Sequence, residues 1–526
     1  MSNATTEVHP DLADFDDPLA SADLAISRGE IDDAVHILLR NWIGILTGPR
    51  HAEFDVLCTR LPHAAAEDPR ILAVRACSQD ALGAHEMARV FLARAESSVS
   101  RLQDEDAEAR LPGLGWHLSF ANMILLDGRE EVAQASQQAW SLLGAGAEID
   151  SGSRAAAFLH IGWAHLRHRF DPERGIQSLQ FAMREASSSG DTVLRSRAAR
   201  NLAFMLAWAG KINQARMALT HAGRLPRPVT SWHLNSVGDS QAAEAHIAYL
   251  ANDLPLARKA ISELQDDGAT AATSFAGTAR FLFALTAAAS REPALMRRAS
   301  LELQLIPQSD SRGVSWAAFR QTSQAALAEA AGQRQQAVTI ARRLANARDM
   351  PLVSVVIAGI LRRSGHVDEA LSILSNLEKH QQLPYVRAAT LATAAVTSAR
   401  SGDSSHAHEL LERALRTAAA EGCRRPFCEW DLELRQLITA HVAWGTDHAD
   451  FIESCLAEAP STLDPHDLSK RERVVLAQLR TTRTLPEIAE ALGVSKNTVR
   501  SQVRSIYRKL GVHSRKEAIH VIVGNG

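Results

Sequence analysis

Along most of the chain, apolar residues recur at helical spacing on either side of short polar turns. Leu202, Met205, Leu206 and Ala209 lead into Gly210, and Leu371, Ile373, Leu374 and Leu377 follow Gly365. Both runs predict helices with one buried face. The turns share a signature, a small residue followed five positions later by Ala. It occurs at Gly29/Ala34, Gly83/Ala88, Gly128/Ala133, Gly210/Ala215, Gly332/Ala337, Gly365/Ala370 and Gly402/Ala407. Asn252/Ala257 is a variant, and Phe170/Gly175 and Ser290/Leu295 are degenerate copies. Successive anchors lie 33 to 54 residues apart, the length of a helix hairpin. Gly or Asn reaches positive φ after a helix C-terminus, and Ala lets the next helix approach closely. A single hairpin leaves a face bare, so the hairpins must stack. The expectation is an all-α protein with an α-solenoid over residues 19–456. Two irregular stretches, Arg224 to Asp239 and Ile306 to Ser315, are expected to divide it into lobes.

The pattern changes near residues 457–467, where Pro460 and Pro465 stand among small polar residues and predict a linker. Residues 468–526 then carry three S/T-x-x-E capping boxes, Ser469/Glu472, Thr484/Glu487 and Ser514/Glu517, and Ser495 caps a fourth start. They predict four helices near 470–480, 485–492, 496–510 and 515–523. Leu492-Gly493-Val494-Ser495 is a short turn of the kind that sets two helices steeply across one another, a helix-turn-helix. In the third helix Val499, Val503, Ile506 and Leu510 form a buried seam. Lys496, Arg500, Arg504 and Arg508 fall at i, i+4 intervals on an adjacent face. Like charges so spaced repel one another, and the stripe makes sense with a polyanion such as double-stranded DNA as its partner. Asn497, Thr498 and Ser501 stand at the N-terminal end, where side chains reach base edges or phosphates.

Charge sharpens that division. The 526 residues carry a net charge of -3, yet the part after Leu463 carries +6 and the part up to it -9. A basic module therefore follows an acidic body. Aromatics make up 5% and apolar residues 46%, which disfavours β-rich folds. Residues 1–18 hold five carboxylates and no Lys or Arg, which predicts a disordered acidic tail and opposes a secretory signal. Five scattered cysteines and the lack of any long apolar span suit a cytoplasmic, nucleoid-associated chain away from membranes.

With these residues in view, Leu468-Ser469-Lys470-Arg471-Glu472, Glu487-Ile488-Ala489, Val494-Ser495-Lys496-Asn497-Thr498-Val499-Arg500 and Ile506-Tyr507-Arg508-Lys509-Leu510-Gly511-Val512 resemble the LuxR-type DNA-binding domain. The Asn-Thr-Val-Arg and Ile-Tyr-Arg-Lys-Leu segments, and Glu421-Gly422-Cys423-Arg424-Arg425-Pro426-Phe427 upstream, are similar to the large MalT-like regulators in particular. The repeat turns, above all Ser364 to Leu371 and Ala209 to Ala215, resemble tetratricopeptide repeats. The resemblance implies that Thr498, Val499, Arg500 and Arg504 lie at the DNA groove and that Lys509 contacts backbone. It also implies that the last helix mediates homodimerisation on DNA. Gln502 stands where the family often has His, and Thr482-Arg483-Thr484-Leu485 where it has Gly-Leu-Ser-Asn. MalT-like proteins carry an ATP-binding domain before their repeats, but no G-x-x-x-x-G-K-[ST] loop occurs here, so no nucleotide or other cofactor is expected.

Asn122, Asn201, Trp163 and Trp208 are candidate ligand contacts on a solenoid groove, with helix packing as the alternative. His160, His165 and His168 share a helix, and Cys423-x4-Cys428 could pair with His441 and His448. Neither spacing fits a metal site, and buried or packed side chains are expected. No triad or paired-carboxylate motif supports an enzyme. The chain therefore reads as a sequence-specific transcriptional regulator, an activator with RNA polymerase as a candidate contact. Its repeats would sense a small-molecule effector or protein partner. The competing reading is an interaction scaffold that only docks nonspecifically on nucleic acid.

Overall fold

A computed structural model describes residues 17–102, 110–145, 149, 151–223, 231–232, 237–266, 274–346, 349–457, 469–479, 481, 483–510 and 515. Among these residues the protein is all-α, with no strand and one isolated β-bridge between Ser311 and Val314. No helix among them is long and apolar enough to cross a membrane. Buried apolar residues form two clusters, one running from Leu19 to Cys455 and the other from Val475 to Ile506.

The body is a stack of antiparallel hairpins, for example Pro69–Ala81 with His85–Leu102, Thr192–Trp208 with Ile212–Thr220, and Pro384–Arg400 with Ser404–Glu421. Each of the ten anchors falls at the turn of such a pair. Gly29, Gly83, Gly210, Gly332, Gly365 and Gly402 have φ between 74° and 93°, and Asn252 has φ 58°. The following amide closes the helix by bonding the carbonyl five residues back, as in Lys211 N to Leu206 O at 2.9 Å and His366 N to Leu361 O at 2.9 Å. The paired alanines Ala34, Ala88, Ala215, Ala257, Ala337, Ala370 and Ala407 are fully buried. Gly128 departs from the rule, with φ -68° at the cap of Arg129–Gly144. In the degenerate copies Arg169 and Arg291 take positive φ in place of Phe170 and Ser290. Gly175 replaces Ala because a Cβ there would meet Met205 Cε at 2.3 Å and His165 Cβ at 2.9 Å.

Described residues of both irregular stretches meet at Asp80, at the C-terminal end of Pro69–Ala81 and wholly buried. From one, Trp232 Nε1 donates to Asp80 Oδ2 at 3.0 Å, and Ser231 Oγ donates to the Asp80 carbonyl. From the other, the Arg312 guanidinium reaches both carboxylate oxygens at 2.6 and 3.2 Å. His85 Nδ1 lies 2.7 Å from Asp80 Oδ1, the oxygen that Arg312 also reaches. A buried carboxylate needs charged and hydrogen-bonded partners, and here distant segments supply them. The expected lobe boundary at Ile306 to Ser315 is thus a tie across the superhelix; residues 224–230 and 233–236 of the other stretch lie outside those described.

Later hairpins also return to earlier ones. Arg425 N donates to Leu250 O at 2.9 Å, Arg424 Nε to Ala251 O at 2.7 Å, and Gly313 N to Asp127 O at 2.9 Å. The Arg424-Arg425 pair therefore caps the turn of another hairpin.

Candidate nucleic-acid interface

The C-terminal module is built on helices Lys470–Leu479, Leu485–Ala491 and Lys496–Leu510. Ser469 N donates to Glu472 Oε2 at 2.6 Å, and Glu472 N to Ser469 Oγ at 3.2 Å, completing the first capping box. Thr484 and Glu487 form the second. Thr498 N donates to Ser495 Oγ at 3.1 Å, capping the third helix. The expected box at Ser514 and Glu517, the helix near 515–523 and residues 1–16 and 458–468 lie outside the described residues. Between the second and third helices Gly493 takes φ 63°, and Val494 N bonds Ala489 O at 3.0 Å. That left-handed residue ends one helix and re-aims the chain within four residues.

Val499, Val503 and Ile506 are buried against Val475, Leu476, Leu479, Ile488 and Ala489, forming the module's core. This corrects one site expectation. Val499 has no exposed surface, so its side chain packs the helix onto its neighbours instead of facing a groove. The seam reading of its i, i+4, i+7 position was the right one.

On the outer face Lys496, Asn497, Thr498, Arg500, Ser501 and Arg504 are all exposed. The side chains of Lys496, Arg500 and Arg504 make no hydrogen bond or ion pair with any described residue. The helical rise puts them about 6 Å apart along one face, a row of undirected cations over about 12 Å, comparable to the major-groove width. Thr498 Oγ1 lies 2.8 Å from Ser495 Oγ at the cap, and Ser501 Oγ donates back to Thr498 O at 2.9 Å, while both residues stay at the surface. The side chains of Arg508 and Lys509 lie outside those described; their backbone closes the helix.

Two anchors escaped the sequence reading. Glu472 is buried, and beyond its cap bond its Oε1 accepts from Ser505 Oγ at 2.8 Å, fixing the first helix to the third. Arg515 donates to Leu479 O, Arg483 O and Thr481 O at 2.9, 2.6 and 2.5 Å, closing the end of the first helix. The capping-box spacing revealed Glu472 only as a cap, and nothing local marks Ser505 as its partner.

Residues 466–522 match the family described as bacterial regulatory proteins, luxR family. The module is 42% identical over 52 residues to the spore germination protein GerE of Bacillus subtilis, covering 70% of GerE and 10% of this chain. The chain belongs to the luxR family. It is also 47% identical over 53 residues to the HTH-type transcriptional activator RamA of Corynebacterium glutamicum, again 10% of this chain. The match spans only 19% of RamA. The luxR-family likeness thus resides in the helix-turn-helix module, which includes the exposed cationic helix Lys496–Leu510.

In the body, the four candidate ligand contacts take different places. Trp163 is buried beneath the Arg167 guanidinium, 3.9 Å from its ring. Asn122 is half-buried on Leu114–Leu125. Trp208 is buried and borders a small cavity with Arg169 and Phe319. Asn201 is buried, its Nδ2 donating to Arg197 O at 3.0 Å and to Asp239 Oδ2 at 3.4 Å. His160 packs on Trp232 at 4.7 Å, and His165 stacks edgewise on His168 at the same distance. All five cysteines are buried, and Cys428 Sγ donates to Cys455 O at 3.4 Å. His441 lies 2.8 Å from Glu412 and from His408, so it does not join Cys423 and Cys428.

Asp239 beside Asn201 is fully buried, and burial pushes its carboxyl up to about 7 although Arg200 stands 3.6 Å away. A carboxyl raised in the folded state stabilises the fold at low pH, and that contribution is lost as pH rises from about 4 through 7. Asp239→Asn is therefore expected to abolish a loss of about 2 kcal/mol between pH 5 and pH 8, read by urea denaturation. An unchanged pH dependence contradicts the assignment.

Proposed function

We propose that this chain is a sequence-specific transcriptional regulator, an activator, that binds a two-half-site operator as a homodimer through Lys496–Leu510. The observation that carries the reading is the row of Lys496, Arg500 and Arg504, exposed and unengaged on a helix whose opposite face is the module's core. RamA, named a transcriptional activator, supports the sign of regulation and transcription by RNA polymerase as the process acted on. The reading places the protein in the cytoplasm and gives it no catalytic activity of its own. The helical body stands where MalT-like proteins carry their tetratricopeptide-like repeats, and it serves as the sensor.

A small-molecule effector is favoured by a cavity of about 960 Å³ among the N-terminal hairpins, lined by Val35, Leu39, Arg40, Arg70, Trp116 and His117 among others. That size and mixed apolar and polar lining suit an organic ligand. The test is selection of bound duplexes from a random-sequence pool by the full-length chain. Enrichment of an inverted repeat with half-sites about 10 base pairs apart supports the reading. Recovery of unenriched sequence favours the scaffold that docks on DNA nonspecifically.

A further inference from the structure

Past the hairpin of Pro384–Arg400 and Ser404–Glu421, the body ends in Leu432–Trp444 and Ala449–Ala457, which pack against it and are joined by a short turn at residues 445–448. Four titratable side chains meet there in one connected array. Glu412 stands in the middle. Its Oε2 accepts from Thr446 Oγ1 at 2.7 Å and lies 2.8 Å from His441 Nε2, and its Oε1 lies 3.6 Å from His448 Nε2. On the other side of the His441 ring, Nδ1 lies 2.8 Å from Nδ1 of His408. Both of these imidazoles are buried. Trp444, 60% exposed, is stacked on the His408 ring with centroids 3.9 Å apart and continues a stack that His441 begins.

An imidazole nitrogen donates when protonated and accepts when bare, so two facing Nδ1 atoms 2.8 Å apart hold one proton between them. Glu412 is ionised: burial alone would raise its carboxyl, but the Thr446 and His441 bonds outweigh it and hold it below the ordinary range. His441 therefore keeps a proton on Nε2, and the pair of rings accommodates one positive charge opposite the carboxylate. A second sets N–H against N–H and cation against cation. Burial, and after it the charge of His441, lower the His408 imidazole. Among the described residues of these elements, Arg400 is bound to Glu433, and Glu409, Arg413, Asp447, Asp450 and Glu453 are exposed; only His441 acts on His408. An imidazole lowered in the folded state contributes stability that is complete above its ordinary value of about 6.5 and is lost as pH falls from there through the lower folded value.

We infer that this array is an acid-sensitive latch at the end of the helical body: on acidification a second proton enters between His408 and His441, parts the two rings, and releases Trp444 and the turn at residues 445–448. The turn leads into Ala449–Ala457, the last described helix before Lys470–Leu479 opens the C-terminal module. Protonation thus loosens the part of the body that is next in sequence to that module. Asp239 responds with the opposite sign, losing its contribution as pH rises, so the two effects are separable. The inference stands independently of the DNA-binding reading.

The test is hydrogen exchange of the full-length protein, read by mass spectrometry and corrected for the intrinsic pH dependence of exchange. Between about pH 7.5 and about pH 5.5, protection of residues 441–450 should fall about tenfold, while residues 351–363 in the core of the body keep theirs. His408→Asn, whose side-chain N–H can still donate to His441 Nδ1 without titrating, should remove that pH response. Should His408→Asn already lack protection at the higher pH, the ring nitrogen NMR shifts of the native histidines decide. His408 should then take up its proton below the ordinary histidine range, in step with the loss of protection. Equal protection of residues 441–450 at both pH values, the same fall in a protected His408→Asn, or a His408 that titrates in or above the ordinary range overturns the inference.

Discussion

Replacing Arg500 and Arg504 together by alanine is expected to lower the affinity of the full-length chain for its preferred duplex by about a hundredfold at moderate salt. Each direct contact of an arginine with a base edge or phosphate is worth about 1–3 kcal/mol, and two are removed. The slope of log affinity against log salt should fall by about two, since two cations no longer displace counterions. Both side chains are exposed and bonded to no described group, so the fold should be unaffected. Fluorescence anisotropy across a salt series checks both expectations together with the melting curve. A loss of less than about threefold would mean that another surface holds the DNA.

Asp80→Ala is expected to destabilise the body by about 2–4 kcal/mol, near the range for removing one partner of a buried ion pair. The loss is discounted because the Arg312 side chain keeps 32% of its exposure and is partly screened. Trp232 Nε1 and the Arg312 guanidinium would both lose their acceptor. Hydrogen exchange should accelerate at residues 231–232 and 311–314 before it does so elsewhere. Burial alone would raise the Asp80 carboxyl, but the His85 and Arg312 contacts outweigh it and hold the group down at about 2. A depressed carboxyl contributes stability that is complete above its unfolded value near 4 and is lost as pH falls through 2. That contribution is about 2 kcal/mol. Unchanged exchange at both segments in Asp80→Ala would show that the tie does not hold the superhelix.

What could be read in the sequence was local. Glycine followed five residues on by alanine marked seven of the hairpin turns, because left-handed φ and a close helix approach each tend to leave a residue type behind. The helix Lys496–Leu510 was legible for the same reason, since its buried seam repeats at helical spacing. The Val499 assignment shows where family likeness and periodicity competed, and burial sided with periodicity. Contacts between distant segments left no such trace. Asp80 meets Trp232 and Arg312 across 152 and 232 residues, and no spacing rule connects them. The stretch Ile306 to Ser315 looked like a boundary, and its Arg312 instead ties back to Asp80.

The central claim is that a luxR-family helix reads specific DNA on behalf of a helical-repeat body. Genome-wide occupancy of the full-length chain in living cells, compared with the Arg500→Ala, Arg504→Ala double variant, tests it most directly. The account predicts discrete promoter peaks that share an inverted-repeat sequence and vanish in the variant. Diffuse coverage, or peaks that persist unchanged in the variant, would contradict it.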